Sequence, residues 1–243
     1  MSSKQPNNPA GWLQRIVEKA RTVPTNVSVR QGWAQVFGLD PGNLYGILQS
    51  IAEFVKLVEE ARKAVTNLKG FEHNLYHRPI ERLEDVLSHM NLDSSWSSVV
   101  ASFDENLLYG LSVTNDVLSK FSKEVELDEE TLKDLQYQLK ELEENLVTSD
   151  IPEELMVFLV DQLERMRNAL LNYSLFGPGQ VREAVENATG AFILHARELG
   201  PFWDNPIIKR LISILTILAS AVTVYQGGQL LTEGIRKLLS SSN

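Results

Sequence analysis

Apolar residues recur at helical intervals through most of the chain, and the breaks between runs mark where helices end. Trp12, Leu13, Ile16, Val17 and Ala20 form a first stripe, flanked by Arg15, Lys19 and Arg21 and stopped by Pro24. Val29, Trp33, Val36 and Phe37 predict a short second helix ending at Gly38. Asp40-Pro41 then reads as a start signal, a capping carboxylate followed by proline at the first helical position. From it Leu44, Leu48, Ile51, Val55, Val58, Val65 and Leu68 predict one long amphipathic helix that ends at Gly70. Pro79 breaks the next segment, leaving Ile80 to Met90 as a short helix, and the serine-rich stretch 93–98 reads as a loop with Trp96 anchored in the core. Phe103, Leu107, Leu111, Thr114, Leu118 and Phe121 carry the helix after it.

The centre of the chain is the most regular part. Leu132, Leu135, Leu139, Leu142 and Leu146 alternate three- and four-residue steps behind a capping Asp128. Asp150 and Glu153 form a capping-box pattern, and Leu155, Leu159, Leu163, Met166 and Leu170 continue on the next helix. The short connection predicts an antiparallel hairpin. Phe176 to Gly179 breaks the chain again, and Val181, Val185, Ala188, Phe192 and Leu199 mark a helix closed by Gly200-Pro201. No alternating run bounded by hairpin turns occurs, so little or no sheet is expected. The predicted fold is all-α, a bundle of about eight helices. Residues 1–10 are expected to be a disordered tail, 11–205 the bundle, and 206–243 a hydrophobic helix with an amphipathic end.

That last helix is the most distinctive element. Residues 211–232 carry no charge, between Lys209 and Arg210 before and Glu233, Arg236 and Lys237 after. A helix of that length covers roughly 33 Å, close to a bilayer core of about 30 Å. Its strongly apolar part, however, runs only from Leu211 to Tyr225, through Ile214 and Ile217, before Gln226, Gly227 and Gly228 interrupt it. Ser213, Thr216, Ser220, Thr223 and Gly227 line up as a narrow face of small residues, the kind that lets a second helix approach closely. Gly227 and Gly228 would hinge a last turn bearing Leu230, Leu231, Ile235, Leu238 and Leu239. Two environments fit, a buried central helix of a bundle and a bilayer; the seam of small residues favours packing over simple anchoring. Trp12 with its basic flank admits the same pair of readings, core or membrane interface, and the short stripe favours core.

Composition narrows the chemistry. Zero cysteines exclude disulfides, thiolate nucleophiles and cysteine-ligated zinc. The net charge of −9 is concentrated in residues 121–165, where fourteen acids meet four bases. Nucleic-acid binding is disfavoured by that balance, although five bases against one acid in the first 30 residues leave a local basic face. The N-terminal residues lack an apolar run of signal-peptide length, so a cytoplasmic chain is expected, peripheral or tail-anchored at the inner membrane if the C-terminal helix inserts. The Asn-x-Ser/Thr triplets at Asn26, Asn172 and Asn187 are accordingly expected to stay unmodified.

Few residues suggest a reaction. His73 and His77 are spaced to share one side of a helix, as a metal pair requires, but no Glu-x-x-His or His-Glu-x-x-His element accompanies them. Arg82 and His89, with six residues between them on a predicted helix, resemble the Arg-x(4–6)-His element of HEPN ribonucleases. The resemblance implies an all-α, dimeric, metal-independent ribonuclease; Leu83 stands where that family usually has a polar residue after the arginine. The stretches 33–39 and 169–177 resemble small all-helical bacterial proteins with hydrophobic C-terminal helices, some encoded beside defence or toxin genes, and no functional residue transfers from them. No cofactor is implied. The leading expectation is a non-enzymatic interaction protein that packs its C-terminal helix against a protein partner, a second copy or a membrane. The alternatives are a membrane-perturbing effector and the ribonuclease.

Overall fold

The computed structural model describes residues 6–121 and 127–222. Among the described residues it holds eleven α-helices, a short 3-10 turn and no extended strand. The excess over the expected eight comes mainly from two short pieces, α5 and α10, that carry too few residues for a periodic pattern. The chain forms two compact units, residues 1–122 with 175–177, and residues 123–174 with 178–243.

The first unit contains α1 (Pro9–Arg21), α2 (Val29–Phe37), α3 (Leu44–Thr66), α4 (His73–Ser88), α5 (Trp96–Ser102) and α6 (Glu105–Ser119). Helix α1 lies against α6, α3 and α2, while α4 packs on α3 and α6. Its stripe is fully inside: Trp12 is 1% exposed, so the core reading of α1 is what the structure shows. An aromatic cluster forms the heart of the unit, with Trp33 stacked on Phe37 at 5.2 Å and edge-on to Trp96 at 5.2 Å. Helix α2 begins with a full capping box between Ser28 and Gln31 and ends at Gly38, whose φ of 71° suits glycine.

Three expectations change here. Helix α3 starts at Leu44 because Asn43 caps it; Asp40 instead folds the preceding turn, accepting from the Gly42 N–H at 2.7 Å. Pro79 does not break α4, which runs from His73 to Ser88 through the proline. The ring lies against Gly110 of α6, where an added Cβ would stand 3.1 Å from Pro79 Cβ. Close packing at that crossing outweighs the lost helical hydrogen bond. The serine-rich segment yields α5, because Ser95 caps it and the backbone of 92–96 pairs with that of 27–30. Trp96 is drawn fully inside, over Gly32, and its indole N–H donates to the Ala20 carbonyl at 3.3 Å.

The apolar face of α3 also differs from the sequence reading. Ile47, Phe54, Leu57, Val58, Ala61 and Val65 are buried, whereas Leu44, Leu48 and Val55 are exposed. The helix carries two adjacent apolar stripes, and four- and three-residue spacing alone does not say which one meets the core.

The second unit contains α7 (Glu129–Val147), α8 (Glu153–Phe176, as far as residue 174), α9 (Gly179–Leu194), α10 (Ala196–Leu199), the 3-10 turn Gly200–Phe202 and α11 (Pro206–Val222). Asp128 caps α7 as expected, accepting from the Thr131 N–H at 2.7 Å. All five leucines of the α7 stripe are buried. Helix α11 packs against α9 and α7. Within the described residues no helix is long and apolar enough to cross a membrane.

Candidate functional site

Helix α11 starts five residues before the charge-free stretch, at Pro206, with Asn205 at its head: the Asn205 side-chain oxygen accepts from the Ile207 N–H at 2.9 Å. Two ion pairs fix its first turn. Lys209 reaches Asp204 at 2.6 Å, and Arg210 reaches Glu141 of α7 at 2.8 Å. From there the helix divides lengthwise. Ile208, Leu211, Ile212, Ile214, Leu215, Leu218 and Ala219 are buried in the second unit. Ser213, Thr216, Ile217 and Ser220 face outward, with Ile217 42% exposed.

The small residues therefore lie on the surface side, and Leu211 and Ile214 lie on the core side. Two hydroxyls on the outward face turn back onto their own helix: Thr216 Oγ1 donates to the Ile212 carbonyl at 2.8 Å, and Ser220 Oγ to the Thr216 carbonyl at 2.8 Å. The polarity of these two hydroxyls is satisfied within the helix, so their methyl and methylene groups flank the exposed Ile217. Thr223, Gly227 and Gly228, with the amphipathic end, fall outside the described residues.

The histidine pair sits in the first two turns of α4. The rings are 6.2 Å apart and perpendicular. His73 Nε2 meets the Leu68 carbonyl at 2.6 Å and serves the end of α3 as a hydrogen-bond donor. His77 has Nε2 3.5 Å from Thr66 Oγ1, and its Nδ1 is buried without a hydrogen-bond partner. Burial, aided by the Arg62 guanidinium, holds the His77 imidazole below its ordinary pKa. Among the described residues no group of three or more His, Asp or Glu side chains is placed to hold a metal ion.

Arg82 and His89 have separate local tasks. The Arg82 guanidinium donates to Asp104 Oδ1 at 2.9 Å and to the Ser102 carbonyl at 3.2 Å, joining α4 to the head of α6. Asp104 caps α6, accepting from the Leu107 N–H at 2.8 Å, and the Arg82 contact with that cap lowers its pKa to about 2. His89 lies at the end of α4, exposed, with Nδ1 2.9 Å from the Asp85 carbonyl and 3.0 Å from Ser88 Oγ. The acids of the second unit are partly matched, Glu143 by Arg167 and Glu141 by Arg210.

Sequence reasoning missed a polar knot at the head of α1. Asn8 is 2% exposed and caps α1, while its amide donates to Asn115 Oδ1 at 2.7 Å and to Ser119 Oγ at 2.9 Å on α6. The pattern of an asparagine before proline at the first helical position was available as a signal. On α3 the sequence reading named Leu44, Leu48 and Val55 but missed that they face outward; the signal was the second apolar row, Ile47, Phe54, Leu57 and Ala61, which takes the core. Comparison of the chain with protein-family models, with curated proteins and with solved structures finds no match.

Proposed function

We propose that the protein is a non-enzymatic helical interaction protein, and that the outward face of α11 is where a helix of a partner protein, or of a second copy, packs. The observation that carries this reading is the lengthwise division of α11. One face is committed to the core of its unit, and the other presents Ser213, Thr216 and Ser220 around a half-exposed Ile217. Small residues let helix backbones approach closely, and the Thr216 and Ser220 hydroxyls, already bonded to the helix, add little desolvation cost when covered. Ile217 supplies an apolar anchor at the centre of that face.

We read α7 and α8 as an antiparallel pair, of which α7 carries one side of α11. Gln136 donates to the Leu170 carbonyl at 3.2 Å, and Arg167 stands 3.6 Å from Glu143. The partner number falls on α8 as it rises on α7, which supports antiparallel packing.

A photo-activated cross-linking residue placed at position 217 in cells tests the reading, with Glu186 on α9 as an exposed control site. Discrete protein adducts are expected at 217, absent from the control and lost when Ser220→Arg is added. Adducts identical to those of the control would refute it, and adducts to lipid would replace it with membrane association.

A further inference from the structure

We draw no further inference here: the strongest candidate, the apolar stripe of Leu44, Leu48, Ile51 and Val55 along the first half of α3 in the first unit, carries nothing because nothing in the structure shows what covers it.

Discussion

Gly32 sits where the Trp96 ring crosses α2, and a methyl group there would fall on the ring itself. Both residues are buried in the aromatic cluster, so the ring has nowhere to retreat. Gly32→Ala is expected to cost about 1–3 kcal/mol by overpacking, read as a lower urea midpoint at unchanged slope. Gly177 combines a φ of 76° with the Trp12 indole against its Cα, and Gly177→Ala should cost at least as much. Gly190, inside α9 with open space around it, should respond in the opposite sense. Gly190→Ala is expected to stabilise by about 0.5–1 kcal/mol, because the helix gains propensity and meets no neighbour.

Two titrating residues give the protein a pH dependence of definite sign. The folded state disfavours protonated His77, so its contribution is complete above the ordinary histidine pKa of about 6.5 and is lost as pH falls below that value. Asp104 behaves likewise in a more acidic window. Its contribution is complete above the usual 3.8 and lost as pH falls toward about 2. Urea midpoints should therefore decline from pH 8 to pH 5, and His77→Gln should flatten that decline. Parallel pH profiles for the two proteins would contradict the role assigned to His77.

At the scale of elements, α11 makes the sharpest contrast. Leu215 is fully buried, and Leu215→Ala is expected to cost about 2–5 kcal/mol. Ile217 lies on the other side, and Ile217→Ala should change stability by no more than about 0.5 kcal/mol. Equal losses at the two positions, measured by thermal or urea unfolding, would mean that the helix does not divide as described. How much of each element the residues reveal depends on whether its signal is local. The cap at Asp128 and the stop at Gly38 are local, and both are legible. Pro79 inside α4 is not, because what makes it tolerable is Gly110 on another helix. The core face of α3 is illegible for the same reason: two apolar rows compete, and only the neighbouring helices choose between them.

Over the whole molecule, the all-α class was legible because apolar period and capping residues agree along nearly the entire chain. The candidate site was legible only in part. The seam of Ser213, Thr216 and Ser220 can be read from spacing, but spacing cannot tell whether a seam turns inward or outward. The inward side is set by α7 and α9, which the row Leu211, Ile214, Leu215 and Leu218 fits with larger side chains. Arg82 and His89 show the same limit in another form. Their spacing suggested a shared task, but the fold sets the arginine against the Asp104 cap of α6 and leaves the histidine at an exposed helix end.

The central claim is that α11 gives one face to its own unit and offers the other. The chain has no cysteine, so a thiol introduced at one position reports on that position alone. Four single variants, Leu215→Cys, Ile217→Cys, Leu218→Cys and Ser220→Cys, can be labelled with a maleimide in buffer without detergent. Fast labelling at 217 and 220, with 215 and 218 reacting only after denaturant is added, is the predicted result. Labelling at 215 as fast as at 217 would contradict the account, as would protection of all four positions in a monomeric sample.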